Sequence, residues 1–326
     1  IGICPGVSID TADVLVGISY FAMTRSTGTV VADQHGTRDV SMIASETVAA
    51  NGFDHHLRRA GDDGPTMVLL HGWPETSYCW RHVMTAFGDE YQMIAPDLRG
   101  FGDTGKPDGP HDKATVAGDI WTIMDAKGIE NAILVGHDIG ARVAMRMTLD
   151  QPDRISSLIV MNGRYPPLGS LKTSDSGQAR ERWYFFFQQH PDLVEALVSK
   201  DVQAYYQHFL EHWSYPDFHF DAEEIAEYVR AFSQPGAIRG GCAHYQAALN
   251  EDEAQWAADV GKIVATPTQI LWGQNDVVSP PFYTEGYDTV FTNMELHFID
   301  KCGHFPHEEQ PTETIALMRA FLDRIG

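Results

Sequence analysis

Cysteine is scarce: four residues, Cys4, Cys79, Cys242 and Cys302, lie far apart without Cys-x-x-Cys spacing. That pattern excludes a zinc site of that kind and a dense disulfide framework, leaving room for one bridge, such as Cys4–Cys242. No apolar run reaches ~18 residues, so no segment reads as a membrane-spanning helix. Basic residues are few as well. With 23 Lys and Arg against 45 Asp and Glu, the formal charge is −22. Nucleic acid and an acidic membrane surface would both be repelled, which excludes them as partners. Repeats and low-complexity tracts are also missing. What remains is a chain of 326 residues, 43% hydrophobic and 21% charged, a composition ordinary for a soluble globular enzyme. It begins at Ile1 rather than Met, so a trimmed leader is expected, with either a cytoplasmic or an exported destination.

Ile1 to about Val40 is weakly patterned and is expected to form an arm on the main domain. Ser45 to Asn51 and Phe53 to Arg59 predict two strands around a tight Asn51-Gly52 turn. Buried strands are expected at Met67 to Leu70, Tyr91 to Ala95, Ile133 to Val135 and Ile155 to Met161, with a helix over Ala114 to Lys127. Strands alternating with helical segments imply a parallel, doubly wound sheet. The alternation breaks after Asn162. From Gly163 to Val260 the chain is aromatic-rich loop and helix, with helices expected at Arg182 to Gln188, Val194 to Ser199, Val202 to His212, Ala222 to Phe232 and Ala237 to Asp252. Strand–helix order resumes at Thr268 to Trp272 and Met294 to Ile299, and ends in a helix over Thr312 to Ile325. The expected domains are an arm over 1–43, a core over 44–162 and 261–326, and a helical cap over 163–260.

Within the core, Gly136-His137-Asp138-Ile139-Gly140 joins a strand to a helix through a sharp turn, with small residues where the backbone crowds. Asp276 closes the strand Leu271-Trp272-Gly273, and His304 follows the last strand. Nucleophile, acid and histidine, in that order and each at a strand end, form a hydrolase triad. Strand carboxyl ends share one edge of a parallel sheet, so three such loops converge there. The nucleophile is a carboxylate, and that restricts the reaction. At its ordinary pKa of about 3.9 it is ionised and needs no base to attack. Attack on a carbonyl would give an anhydride; attack on saturated carbon gives an alkyl ester. His304, oriented by Asp276, then activates the water that hydrolyses the ester. Backbone N–H groups of Trp73 and Ile139 are placed to receive the oxyanion.

His71-Gly72-Trp73-Pro74, Asp97-Leu98-Arg99-Gly100-Phe101-Gly102, the elbow around Asp138, and Gly303-His304-Phe305 together resemble the epoxide hydrolase and haloacetate dehalogenase branch of the α/β-hydrolases. The resemblance runs from about Ser45 to the C-terminus. It implies the α/β-hydrolase fold: eight strands, mostly parallel, with a helical cap inserted after the sixth. It also implies two cap donors that hold the leaving oxygen. Tyr245 falls where the family's ring-opening tyrosine lies. The other donor is either Trp183, which aligns with the family's tyrosine or histidine, or Tyr184, one step on. Haloacetate dehalogenases read His-Asp-Arg-Gly-x-Arg at the elbow; here Ile139 replaces the first arginine and only Arg142 remains. Arg142 is therefore either a substrate contact or, as preferred on the sequence, one half of a surface ion pair. Asn162 reads as a loop cap, Asp97, Asp103, His137 and His307 as turn and capping residues, and Glu308-Glu309 as acidic residues favourable to the last helix's dipole.

The expected activity is opening of an epoxide to a vicinal diol through an Asp138 ester, without cofactor or metal. A haloacid dehalogenase is the enzymatic alternative, and a non-catalytic ligand receptor on the same scaffold the other. The expected partner is a small-molecule substrate, an epoxide or an organohalide. Oligomeric state stays open, a homodimer included.

Overall fold

The computed structural model describes residues 43–168 and 180–326. Apart from Ile43, the arm expected over 1–43 lies outside them, as do residues 169–179 of the cap. Eight strands make one sheet in the order β1-β2-β4-β3-β5-β6-β7-β8. β1 (Ala44–Ala50) and β2 (Phe53–Ala60) form an antiparallel hairpin. Asn51 and Gly52 turn it with φ of 50° and 89°, the left-handed pair that a tight hairpin needs. β2 also runs antiparallel to β4 (Gln92–Pro96). All other pairs are parallel: β3 (Thr66–Leu70), β5 (Ala132–His137), β6 (Ile155–Met161), β7 (Thr268–Gly273) and β8 (Met294–Ile299).

β5 is the central strand. Every one of its residues is buried, as expected of a parallel strand covered on both faces. Three helices accompany the first half of the sheet: α1 (Arg81–Phe87), α2 (Lys113–Ala126) and α3 (Asp138–Asp150). The sequence reading had no helix at α1. Its seven residues bury only Val83, Met84 and Phe87, too short a stretch for a helical period to stand out.

Between β6 and β7 the chain leaves the sheet and builds the cap. Its described helices are α4 (Trp183–Phe187), α5 (Pro191–Val198), α6 (Val202–Trp213), α7 (Ala222–Phe232), α8 (Ala237–Leu249) and α9 (Glu251–Ala257). The single helix expected over Ala237 to Asp252 is two, because Asn250 leaves helical geometry at φ −123° and ψ −91°. After β8 come α10 (Pro306–Glu309) and α11 (Pro311–Ile325). Cys79, Cys242 and Cys302 are buried thiols, and Cys4, the other half of the expected Cys4–Cys242 bridge, lies outside the described residues.

Candidate active site

The strand order brings the carboxyl ends of β3, β5, β6, β7 and β8 side by side. The loops leaving them carry Trp73, Asp138, Asn162, Asp276 and His304. Asp138 sits at the β5–α3 junction with φ +46°, a conformation that costs a non-glycine residue roughly 1–2 kcal/mol. The turn that holds it there requires glycine on both sides. A Cβ on Gly136 would stand 2.6 Å from the Gly140 carbonyl oxygen, and one on Gly140 would stand 2.1 Å from the Leu70 oxygen. A Cβ on Gly72 would come within 2.6 Å of Asp138 Cβ. The bare Gly72 backbone thus lets the β3 loop close over the carboxylate. There the Trp73 N–H donates to Asp138 Oδ2 at 3.2 Å.

Across the sheet edge, His304 Nδ1 donates to Asp276 Oδ2 at 2.8 Å. Asp276 is fixed from three further directions. Its Oδ1 accepts from the N–H groups of Val278 (2.7 Å) and Ser279 (2.9 Å), and its Oδ2 accepts from Asn162 Nδ2 at 2.6 Å. Burial opposes the charge on Asp276, but His304 and these donors hold its carboxyl below the usual range. Burial also works against a charged His304. The charges of Asp276, Asp138 and Glu75 outweigh it and raise the imidazole to about 9. Its Nε2 is buried without a hydrogen-bond partner.

Three sequence readings change here. Asn162 is not a loop cap: fully buried at φ +46°, it donates to Asp276 and accepts from the Gly273 N–H at 3.2 Å. Glu308 and Glu309 stand in the first turn of α10, just before α11, as expected, but their side chains are committed to specific partners. Glu309 is buried, and its two oxygens accept from the N–H groups of Gly303, Phe305 and Tyr215, fixing the loop that carries His304. Glu308 pairs with Arg81, and burial raises its carboxyl to about 7. His137 and His307 are not simple caps either. Both contact the buried Glu75, at 2.7 Å and 3.0 Å, while His137 Nε2 donates to the His304 carbonyl at 2.7 Å. Burial opposes the Glu75 charge, yet the two imidazoles keep it well below the usual range. Burial holds His307 itself neutral, down at about 4. Asp97 does cap a turn, accepting from Ser77 and Asp103 N–H groups at 2.7 and 2.8 Å.

The cap closes the site from above. Tyr184 and Tyr245 both line the cavity over Asp138. Tyr184 stacks on Trp73 with ring centres 5.9 Å apart, and Tyr245 meets it edge-on at 5.4 Å. Burial first, with the Asp138 charge adding to it, pushes both phenols well above 10, so both stay protonated. Trp183 does not join them. It is 44% exposed, packs on Phe187 and Phe209 and does not line the cavity. One step along a helix turns a side chain by about 100°, enough to put one neighbour in the site and the other outside. Among the described residues Arg142 makes no ion pair, and it does not lie on the surface. It is 9% exposed, lines the cavity beside Asp138 and Ile139, and leaves its Nε without a partner. Among the described residues, the groupings that could share a metal ion, such as Glu75, Cys79 and His307, do not include Asp138, Asp276 or His304.

A carboxylate on a strained strand–helix elbow, opposite a histidine–aspartate pair and under a helical cap, defines a hydrolase of the α/β class. A sequence profile for the alpha/beta hydrolase fold matches residues 65–311. The chain belongs to the α/β-hydrolase superfamily, in the branch of epoxide hydrolases and haloacetate dehalogenases. It is similar to a soluble epoxide hydrolase of Corynebacterium sp. (strain C12), 37% identical over 275 residues, covering 82% of this chain and 93% of that one. A fluoroacetate dehalogenase of Burkholderia sp. is 31% identical over 288 residues, covering 83% and 94%. Among solved structures, the ligand-free epoxide hydrolase CorEH superposes with a TM-score of 0.78 at 34% identity, covering 87% of this chain and 100% of that one.

Proposed function

We propose that this hydrolase opens epoxides to vicinal diols. The observation that carries the reading is the meeting of Asp138 with two buried, protonated tyrosines, Tyr184 and Tyr245, in one cavity. An alkoxide leaving group needs a proton, and a phenol in contact with it supplies one. Asp138 attacks a ring carbon and the carbon–oxygen bond breaks. Its electron pair goes to the ring oxygen, which takes the proton of Tyr184 or Tyr245. His304, held by Asp276, then removes a proton from water as the water adds to the Asp138 ester carbonyl. The oxyanion so formed is received by the N–H groups of Trp73 and Ile139. On collapse His304 returns its proton to the leaving diol oxygen, and the proton left on the Asp138 carboxyl passes to the tyrosinate, so carboxylate, imidazole and phenol are all restored.

Hydrolytic dehalogenation is the second reading, supported by Arg142 beside Asp138 and by the fluoroacetate dehalogenase relative. A halide, however, needs a donor without needing a proton, and the indole of Trp183 that would suit it lies outside the cavity.

A single turnover of styrene oxide in water enriched in oxygen-18 tests the proposal. Diol without label, together with label in the Asp138 carboxylate, is expected, because the diol's new oxygen comes from Asp138. Label in the first-turnover diol would overturn the ester route. Halide from chloroacetate with no diol from styrene oxide would favour dehalogenation, and absence of both would favour a ligand receptor.

A further inference from the structure

α8 presents His244, Tyr245 and Ala248 to the cavity over Asp138. Residues four apart share a helix face, so His244 and Ala248 form one strip of wall beside the tyrosine that receives the ring oxygen. Ring opening uses Tyr245 and gives His244 no part. Yet His244 is 1% exposed and only half satisfied. Its Nε2 donates to the Arg99 carbonyl at 2.9 Å, and its ring stacks on Phe101 with centres 4.6 Å apart. Burial first, then the nearby His111 and Lys113, holds the imidazole well below 6.5, so it is neutral. A neutral imidazole that donates from Nε2 carries a lone pair at Nδ1. That Nδ1 is buried without a hydrogen-bond partner.

The groups around it supply no donor. His111 lies 5.0 Å away between ring centres. Its own Nδ1 donates to the Gly109 carbonyl at 3.0 Å, and burial keeps it neutral at about 4, so its unpartnered Nε2 is a second acceptor. The Lys113 ammonium is turned to Asp252 at 3.0 Å and to the His111 carbonyl at 3.4 Å. For packing on Phe101 alone, a phenyl ring would serve as well and would bury no unpaired acceptor. His111 does not line the cavity, whereas His244 does.

We propose that His244 Nδ1 accepts a hydrogen bond from a hydroxyl on the carbon next to the epoxide ring, which makes 2,3-epoxy alcohols the preferred substrates. The inference rests on the epoxide reading and narrows it. A carboxylate or an ether brings no proton to this lone pair. An ammonium would donate, but it would set an unpaired charge beside Lys113, whose own charge Asp252 already takes. The hydroxyl belongs close to the ring, because Tyr245 is the next residue on the same helix and the cavity is only about 20 Å³. The rest of the substrate runs outward past Ala248, which also lines the adjoining vestibule of about 440 Å³. Phe185, Phe186, Trp256 and Val260 stand in the vestibule walls, where an apolar substituent fits.

The test compares trans-3-phenylglycidol with its O-methyl ether, which is larger, and with trans-β-methylstyrene oxide, which is smaller. The alcohol is expected to show a kcat/KM at least about fivefold above both, the size of one ordinary hydrogen bond. Binding is read separately by nitrogen-15 NMR of the imidazole. The His244 Nδ1 resonance is expected to shift upfield with 3-phenylpropan-1-ol, which cannot react, and not with its methyl ether. His244→Phe should bring the alcohol's advantage down to about that of the ether, with circular dichroism verifying the fold. Should that variant fail to fold, the wild-type rates and the Nδ1 shift still decide. Equal or slower turnover of the alcohol, an unmoved Nδ1 resonance, or an advantage that persists in folded His244→Phe would each overturn the hydroxyl site while leaving the epoxide reading intact. Diol from none of the three epoxides would instead overturn the reading on which the site rests, and the Nδ1 shift would then report on the hydroxyl contact alone.

Discussion

His304 holds a proton that the second half-reaction must not find there. In the free enzyme its imidazole titrates at about 9, raised by Asp276, Asp138 and Glu75 against the opposing effect of burial. A protonated imidazole cannot take a proton from water. Ester formation removes the Asp138 charge, and with it one of the three supports, so the imidazole gives up its proton more readily and is freed in its neutral form, able to act on water, once there is an ester to hydrolyse. The sequence of events is thus written into the electrostatics. Asp138→Asn mimics the uncharged ester carbonyl and is expected to move the His304 titration below 9, read by nitrogen-15 NMR of the imidazole; an unmoved titration would refute the coupling. The same shift has a stability consequence. The folded state binds this proton more tightly than the unfolded chain, whose histidine titrates near 6.5. Its contribution is fully present below about 6.5 and is lost as pH rises through about 9. The aspartate at the elbow was legible from one letter in a motif. Which of the two expectations for Arg142 holds was not, because nothing in the sequence says which face of α3 lies under the cap.

At the scale of elements, the elbow and the β3 loop are a matched pair, each shaped to let the other close. The Trp73 N–H reaches Asp138 only because Gly72 has no side chain. Gly72→Ala is expected to lower kcat by about 10²-fold, the usual loss when an oxyanion donor is displaced, with a smaller effect on KM. A kcat within twofold of the wild type would remove the β3 loop from the mechanism, and a thermal melt distinguishes displacement from unfolding. The strands, their order of appearance and the cap's insertion point were legible because buried β-branched runs, turn residues and proline punctuation each leave local marks. Trp183 and Tyr184 could not be told apart, since α4 is five residues long and consists wholly of aromatics. Asn162, His137, His307 and Glu309 were misread for another reason. Their partners, Asp276 for Asn162, Glu75 for the two histidines and the Tyr215 N–H for Glu309, lie far away in sequence. Only the folded sheet edge brings them together.

The whole molecule works as two layers that must stay in register, because Asp138 belongs to the core while Tyr184 and Tyr245 belong to the cap. Their alignment is maintained by buried contacts across the seam. Gly240 of α8 lies so close to Gly100 that a Cβ on it would stand 2.3 Å from the Gly100 oxygen, and Tyr245 rides on the same helix. Arg81 of α1 reaches Glu224 of α7. The most deeply buried tie is Lys113 at the start of α2 with Asp252 of α9: Nζ to Oδ2 is 3.0 Å, and the Lys113 N–H donates to Oδ1 at 2.7 Å. Both residues are at most 2% exposed. A buried pair of this kind contributes little net stability, but removing one partner strands the other. In a chain of charge −22 the stranded group would be one more uncompensated anion. Lys113→Met is therefore expected to cost about 3–5 kcal/mol, and Lys113→Met combined with Asp252→Leu should recover most of it. Urea denaturation of the two variants measures the difference. If the double variant proved as unstable as the single one, the pair would be supplying attraction across the seam beyond its own desolvation. The cap would then be held by charge rather than by the apolar packing around it.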